Sequence, residues 1–415
     1  MKHIKPNFQR TILFVTFVLI SSISISAQGK STYNVAIFIY QNVELLDFAG
    51  PTEVFASTSG FKVYTVSVDG KDILSQGLVT VKPQYSIDNA PAPDIIVFPG
   101  GDSGPSSKDP KVLKWAQTKS SAGTLIMTVC TGAFILANAD MLDDLSVTTH
   151  HSALVSLQNK VPSATVLSLT RFVDNGNIVT TAGVSAGIDG ALHMVARIKG
   201  VEVSKATAHY MEYDKWNPED GKTVYQNPYL SNQGNFTKDT PIPFEGEIVD
   251  VSRKWQEEGS YQSSTLLLDK GIKWYPNSGA MYNLLSHAYT KLGKPAPMVE
   301  SSFMKIIDAG NFDEALDIFN KTQKSFPGWK IFSENTMNDK GYEFLREKKM
   351  TDAIKTFQLN TQAFPNSGNA WDSLAEVNMN AGQIEAAIKQ YKKSLELDPL
   401  NTNAIKMLEK LDAMK

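Results

Sequence analysis

The chain contains a single cysteine, Cys130, and its position favours chemistry. An apolar, β-branched run over residues 124–129 leads directly into this cysteine, and residues 134–137 then have helical character. A strand that turns sharply into a helix is typical of a nucleophile elbow, which places the side chain at the carboxyl end of a parallel strand. Because the start of a helix favours thiolate over thiol, we expect the pKa of Cys130 to lie below the ordinary value of about 8.5. The alternative is a small buried core residue, the usual role of a free cysteine.

Two further groups follow predicted strands. Asp47 lies at the start of a predicted helix after the first strand. Gly100 and Gly101 follow the strand that ends at Phe98, and a glycine turn can direct backbone N–H groups into the crevice beside Cys130. Local sequence alone favours an ordinary helix N-cap for Asp47, and a simple tight turn is the alternative for the two glycines.

Adjacent histidines form the third candidate group. His150 and His151 end the segment Thr148-Thr149-His150-His151 after a short predicted strand, and either ring could face the elbow as a base or a substrate contact. Two adjacent histidines without a suitably spaced carboxylate or third ligand are weak grounds for a metal site. The single cysteine excludes a cysteine-based zinc site. We therefore predict no metal.

The elements that must position these groups alternate between strands and helices. Short apolar runs cover residues 35–40, 63–68, 94–98 and 124–129, with helical patterns among them. This alternation predicts an α/β domain with a doubly wound, mostly parallel, flavodoxin-like sheet and helices on both faces. The sequence Asp174-Asn-Gly176 favours a tight turn and predicts a hairpin.

The second half of the chain is repetitive. Small, aromatic and proline anchors recur at Ala315/Phe319/Pro327, Ala353/Phe357/Pro365 and Ala387/Tyr391/Pro399; the last two sets are 34 residues apart and the first two 38. A weaker copy, Ser264/Leu268/Pro276, lies 51 residues before Pro327, which leaves room for one extra helix. Over residues 248–415 this pattern resembles the all-α tetratricopeptide repeat; a generic helical bundle is the alternative. Residues 214–246, rich in Pro, Asn and Gly, predict a linker or an extended wrap.

Residues 33–213 resemble the PfpI-like superfamily on the class I glutamine amidotransferase fold. The early acid, the Gly-Gly turn, the cysteine elbow and the segment Ala182–Asp189 occur in the order of that family. Asp47 and Cys-Thr-Gly-Ala at 130–133 resemble the isonitrile hydratase branch and the ligand domains of certain transcription regulators. The peptidase and deglycase branches usually have Glu and Cys-His there instead. Glutaminase chemistry would need a His-x-Glu pair late in the domain, which the sequence lacks.

The resemblance implies a site and an activity. Asp47 would lie beside Cys130 and share a proton with it, either as a neutral donor or as a general base. The Gly100-Gly101 turn and Thr131 would supply amides that hold developing negative charge, with the Thr131 hydroxyl orienting substrate or water. The leading hypothesis is a cysteine-dependent hydrolase or hydratase, most like an isonitrile hydratase, that acts on a small carbon–nitrogen compound as substrate and needs no cofactor. The alternatives are a module that binds a small molecule without turnover, and a scaffold whose repeats bind a protein or peptide partner.

Length, composition and charge limit the classes of protein that the sequence allows. A chain of 415 residues holds two or three domains, and its 42% apolar and 20% charged residues are typical of a folded protein. A formal net charge of −3 gives no electrostatic footprint for nucleic acid.

Residues 1–27 combine a basic start, an apolar run and a small-residue cleavage site near Ala27, which predicts a secretory signal and a periplasmic or secreted protein. An uncleaved membrane anchor is the alternative. Members of the superfamily commonly dimerise, so a homodimer is one expected assembly.

Overall fold

The computed structural model describes residue 30, residues 32–225 and residues 242–412, so the predicted secretory signal lies outside the described residues. The described strands are β1 (Tyr33–Phe38), β2 (Phe61–Ser67), β3 (Ile73–Ser75), β4 (Val79–Val81), β5 (Tyr85–Ser86), β6 (Ile95–Phe98), β7 (Leu125–Val129), β8 (Ser146–Val147), β9 (Thr165–Val166), β10 (Phe172–Asp174), β11 (Ile178–Thr181) and β12 (Lys222–Thr223). The α-helices among them are α1 (Leu45–Ala56), α2 (Pro110–Ser121), α3 (Ala133–Asn138), α4 (Leu154–Lys160), α5 (Ala186–Lys199) and α6 (Val201–Tyr210). All the α-helices described beyond residue 242 belong to the second half: α7 (Glu245–Glu257), α8 (Tyr261–Trp274), α9 (Gly279–Lys291), α10 (Glu300–Asp308), α11 (Phe312–Ser325), α12 (Glu334–Arg346), α13 (Met350–Ala363), α14 (Gly368–Asn380), α15 (Ile384–Leu397) and α16 (Thr402–Asp412).

One mostly parallel sheet organises the first half. Its order is β12-β10-β11-β7-β6-β1-β2-β5, and the only antiparallel pair among these described strands is β10 with β11. The central strands β6 and β7 are buried along their whole length, as expected when helices cover both faces. The predicted α/β fold is therefore confirmed. The hairpin is confirmed as well, since β10 and β11 join across the turn that contains Gly176 at φ +92°.

The topology brings the candidate residues to one edge of the sheet. The chain leaves β1, β6 and β7 at their carboxyl ends, and these strands are adjacent and parallel. The loop after β1 leads to α1, the loop after β6 holds Gly100 and Gly101, and the turn after β7 holds Cys130. Because these loops emerge side by side, residues distant in sequence can meet there.

Paired helices form the second half. The small and aromatic anchors of the three main repeats are buried on α11, α13 and α15, where they form the interior between neighbouring helices. Three helices, α9, α10 and α11, occupy the 51-residue interval before Pro327, so the expected extra helix is present. The all-helical repeat architecture is thus confirmed.

The two halves are packed against each other. The first repeat helix, α7, lies on α5, and an ideal Cβ on Gly246 would sit only 2.2 Å from the Gly200 backbone nitrogen. Phe244 meets Tyr33, the first residue of β1, with ring centroids 6.4 Å apart. This contact lies at the amino edge of the sheet, opposite the edge that carries Cys130. A second contact joins Lys62 to Asp398 after α15, at 3.2 Å.

Part of the segment predicted as a linker or wrap is attached to the sheet. Lys222 and Thr223 form β12, which pairs in parallel with β10. The Tyr225 ring lies against Gly176 of the hairpin turn. Residues 226–241 of this segment lie outside the described residues. Over the described parts of the chain, no helix combines the length and apolar character that a membrane crossing requires.

Candidate active site

Cys130 sits in a strained turn between β7 and α3. Its φ is +56°, a left-handed conformation that costs a non-glycine residue about 1–3 kcal/mol. The Cys130 N–H donates to the Ala182 carbonyl at 3.1 Å, and its own carbonyl accepts from the Thr149 hydroxyl at 2.6 Å. The side chain is buried, with 7% exposure for the residue. The strand-to-helix elbow expected from the sequence is therefore present in the structure.

Asp47 is held at the elbow by two neighbouring loops. It lies in the first turn of α1, but the N-cap of that helix is Glu44. The Asp47 carboxylate accepts the Gly100 N–H at 2.9 Å and the Val184 N–H at 3.0 Å, and it lies near enough to the Cys130 thiol for the two groups to shift each other's pKa. Since its partners lie outside α1, Asp47 does not serve as an ordinary helix cap.

The thiol and the carboxylate determine each other's protonation. Burial raises the pKa of Asp47 to about 6, although the N–H groups that it accepts oppose the shift. Burial and the Asp47 charge raise the pKa of Cys130 to about 12. The expectation of an acidic thiol is wrong, because desolvation and the adjacent carboxylate outweigh the short helix that follows. Near neutral pH the pair therefore holds one proton, which resides on sulfur, and Asp47 is ionised.

Gly100 allows Asp47 and Cys130 to approach each other. An ideal Cβ on Gly100 would lie 2.7 Å from the Cys130 Cβ and 2.8 Å from the Asp47 Oδ2, so only glycine fits between them without displacement. The N–H of Gly100 is already bonded to Asp47, and the N–H of Gly101 donates to the Thr131 Oγ1 at 3.1 Å. The Thr131 hydroxyl in turn donates to the Gly101 carbonyl at 3.1 Å. The Thr131 backbone N–H instead faces the sulfur and acts to lower the pKa of Cys130.

The two histidines lie beside the site. His150 packs on Gly183, next to the Val184 that binds Asp47, and its Nδ1 is 2.8 Å from the Ser152 hydroxyl oxygen. His151 is exposed, with its ring centroid 4.1 Å from that of His150. In the described structure no hydrogen bond joins either ring to Cys130 or Asp47. Nor does any group of three or more His, Cys, Asp or Glu side chains in the described ranges have a metal-binding arrangement.

Sequence reasoning missed three contributors to this site. Thr149 binds the Cys130 carbonyl, yet its segment was considered only for the histidines. Val184 supplies an N–H to Asp47 from a backbone at φ +55°, which is unusual for a β-branched residue. The hydroxyl of the buried Tyr40 donates to the Pro99 carbonyl, and burial together with the charge of Asp47 raises the pKa of Tyr40. The segment 182–189 was the available signal for Val184, whereas nothing local distinguishes Thr149.

The fold and the site together define a class of protein. The fold is an α/β sheet, and the site is a buried cysteine at a strand-to-helix elbow beside a carboxylate from the first helix. The model of the DJ-1/PfpI family matches residues 33–197, and a tetratricopeptide repeat model matches residues 368–399. The chain belongs to the DJ-1/PfpI family and carries tetratricopeptide repeats after that domain.

Particular relatives refine this placement. The chain is 30% identical over 183 residues to an isonitrile hydratase of Pseudomonas putida, covering 43% of this chain and 78% of that protein. It is 33% identical over 137 residues to an uncharacterized protein of Streptomyces lividans, covering 32% of this chain and 96% of that protein. The HTH-type transcriptional regulator GbdR of Pseudomonas aeruginosa is 27% identical over 194 residues, which cover 45% of this chain and 53% of the regulator. Relatives of the domain thus include both an enzyme and regulators.

Proposed function

We propose that the α/β domain is a cysteine-dependent hydratase of small isonitriles. The observation that carries the proposal is the pair formed by the Cys130 thiol and the buried Asp47 carboxylate at the elbow. The isonitrile hydratase relative covers the same part of the chain and supports the choice of substrate class. In this proposal Cys130 is the nucleophile and Asp47 the residue that accepts and returns its proton.

The reaction balances without a cofactor. The sulfur of Cys130 bonds to the terminal carbon of R–N≡C, and Asp47 transfers the thiol proton to that same carbon, giving a thioimidate R–N=CH–S–Cys130. Water then adds to the carbon while Asp47 takes a water proton and passes it to nitrogen. The carbon–sulfur bond breaks as the new hydroxyl proton returns through Asp47 to sulfur. The product is the N-substituted formamide R–NH–CHO, which is the isonitrile plus one water.

The Thr131 backbone N–H is the amide placed to assist. It faces the sulfur, where it stabilises negative charge that develops as the proton leaves. The Gly100 and Gly101 amides act indirectly, because one holds Asp47 and the other the Thr131 hydroxyl. His150 and His151 are left as wall residues that contact the substituent R.

Turnover of a small aliphatic isonitrile to its formamide, followed by NMR, tests the proposal. We expect Cys130→Ser and Asp47→Asn to fold and to lose turnover. Glu53→Gln is the matched control, since Glu53 is an exposed carboxylate on the same helix, α1, whose side chain accepts a hydrogen bond from the Ser57 hydroxyl instead of contacting the site. Absence of formamide from the folded parent protein would contradict the hydratase assignment.

The second candidate is binding without turnover. The observation in its favour is that the Gly100 and Gly101 amides are already occupied, together with the similarity to a regulator. A ligand that binds with equal affinity to the parent and to Cys130→Ser, with no product from either, would establish this candidate.

We infer from sequence that the protein is exported and that its repeats bind a protein or peptide partner. The basic and apolar pattern of residues 1–27 supports export to the periplasm or medium. Stacked tetratricopeptide helices offer an extended surface, which supports a polypeptide partner. Cell fractionation tests the first inference and affinity capture with the repeats tests the second; size-exclusion chromatography decides whether the chain is a homodimer.

A further inference from the structure

The strained backbone of Cys130 is anchored from outside its own turn. Its φ of +56° is not a conformation that cysteine adopts freely, so surrounding contacts must hold it. Along the chain the Cys130 carbonyl accepts the short-range N–H of Ala133. The longer-range bond to that carbonyl comes from the Thr149 hydroxyl at 2.6 Å, 19 residues away.

Thr149 is itself firmly placed. It is 1% exposed, and the adjacent Thr148 makes two hydrogen bonds to other segments. The Thr148 N–H donates to the Thr180 Oγ1 at 2.9 Å, and its hydroxyl donates to the Leu167 carbonyl at 2.9 Å. Thr149 therefore has a fixed position from which to hold the Cys130 carbonyl.

We propose that Thr149 is a positioning residue that keeps the Cys130 thiol directed at Asp47. In the described structure no other side chain bonds to the Cys130 carbonyl, so loss of the Thr149 hydroxyl would leave the Cys130 peptide plane free to rotate. That rotation would move the Cβ and the sulfur away from the Asp47 carboxylate. The Thr148-Thr149-His150-His151 segment would then serve the site through a threonine hydroxyl, independently of its histidines.

Loss of the Thr149 hydroxyl should change the rates of alkylation and turnover in opposite directions. When the hydroxyl is lost, the thiol is less constrained beside the carboxylate and ionises more readily, so alkylation becomes faster. Proton transfer to Asp47 becomes poorer at the same time, so turnover becomes slower. A hydroxyl with a purely structural role would lower stability and change neither rate.

Thr149→Val is the direct test, because it removes the hydroxyl and keeps the branched shape. At pH 8.5 we expect iodoacetamide to alkylate this variant roughly threefold faster than the parent, or more, at the chain's single cysteine. Turnover of the isonitrile should fall by roughly tenfold or more, and Thr149→Ser should restore both rates. The turnover measurement rests on the proposed function, whereas alkylation does not, so failure of the hydratase assignment leaves the positioning role testable.

Thr148→Val provides the matched control, since it removes an equally buried hydroxyl that binds Leu167 instead of Cys130. It should lower the melting temperature without changing either rate. If Thr149→Val folds with parental alkylation, the proposal is overturned. If Thr149→Val does not fold, Thr149→Ala is measured in its place. If neither variant folds, the hydroxyl is required for folding of the core, and the positioning role is equally overturned.

Discussion

At the scale of single residues, the site depends on where one proton resides. Asp47 is fully buried yet accepts two backbone N–H groups, so its charge is tolerated but not favoured. With the pKa of Asp47 at about 6 and that of Cys130 at about 12, the carboxylate is the base and the thiol the acid throughout the neutral range. In the proposed reaction the nucleophile is therefore generated by proton transfer during attack and is not stored as a thiolate.

Replacing Asp47 by Asn should abolish this transfer. We expect turnover to fall by about 10²-fold or more, because an amide cannot accept the thiol proton. At pH 7.5, where the carboxyl is ionised, the melting temperature should change little, since loss of one acceptor is offset by removal of a buried charge. The measurement is formamide production beside a thermal melt. Near-normal turnover would exclude Asp47 as the base and direct attention to His150.

The same carboxyl predicts opposite pH trends for turnover and stability. Turnover should rise as pH increases through about 6, because Asp47 must be ionised to act as a base. The folded-state pKa of Asp47 lies above its ordinary value, so its contribution to stability is fully present below about pH 4 and is lost as pH rises through about 6.

Comparison of the parent with Asp47→Asn isolates that contribution. The difference in their free energies of unfolding between pH 4 and pH 7.5 should be roughly 3 kcal/mol at most. Denaturant titrations at both pH values provide the measurement. A parent protein that gained stability relative to Asp47→Asn as pH rose would show that the carboxylate is the favoured form in the fold.

At the scale of elements, the carboxyl ends of β1, β6 and β7 build the site by close approach. Each strand delivers one part: β1 leads to Asp47, β6 to Gly100, and β7 to Cys130. The loop after β6 passes between the other two at a separation that leaves no room for a side chain at Gly100. The glycine turn therefore acts as a spacer between Asp47 and Cys130, and Gly100 is required because a side chain would not fit between them.

Gly100→Ala tests the spacer. The added methyl would lie 2.7 Å from the Thr131 backbone nitrogen as well as from the Cys130 Cβ, so we expect a loss of about 1–3 kcal/mol of stability and of most turnover. Gly104→Ala is the control in the same loop, because its Cβ would meet only the Asp102 Oδ1 at 3.7 Å. Equal behaviour of the two variants in denaturant and activity assays would refute the close-approach argument.

At the scale of the whole molecule, the repeats join the α/β domain through a buried cluster around Arg197. Its guanidinium donates to Asp174 at 3.1 Å and to the Gly176 carbonyl at 2.9 Å, and it reaches Glu247 of α7 at 3.5 Å. Although burial opposes it, the hydrogen bond from His193 and the Arg197 charge hold the pKa of Asp174 below its ordinary value. Because this cluster links the sheet, α5 and the first repeat helix, the halves should unfold cooperatively.

Arg197→Met should therefore be strongly destabilising. Removing one partner of a buried ion pair leaves the other charge uncompensated and typically costs about 3–5 kcal/mol. Arg253→Met is the comparison, since Arg253 pairs with Asp250 in a more exposed position on α7 and should change stability by about 1 kcal/mol or less. We expect the Arg197 variant to show separate unfolding transitions of the two halves by calorimetry. A single transition at the parental temperature would contradict the coupling.

The sequence by itself determined the elements and the class of protein. Short apolar runs predicted β1, β2, β6 and β7, the turn sequence Asp174-Asn-Gly176 predicted the hairpin, and regular spacing predicted the repeats, because these depend on neighbours within a few residues or on a fixed period. The order of the acid, the glycine turn, the cysteine elbow and the segment 182–189 carried the resemblance to the family, which the family match confirms. The catalytic roles of these residues, including Thr131 and the histidines, stay predictions.

Only the tertiary structure decided how those residues act on one another. Asp47 binds Val184 across 137 residues of sequence, and Thr149 binds Cys130 across 19, so neither contact has a local signature. Burial and the carboxylate reversed the expected acidity of the thiol, since desolvation depends on everything packed around a group. The placement of the repeats at the amino edge of the sheet, away from Cys130, likewise follows from contacts such as Phe244 with Tyr33, which exist only after the two halves have folded and packed together.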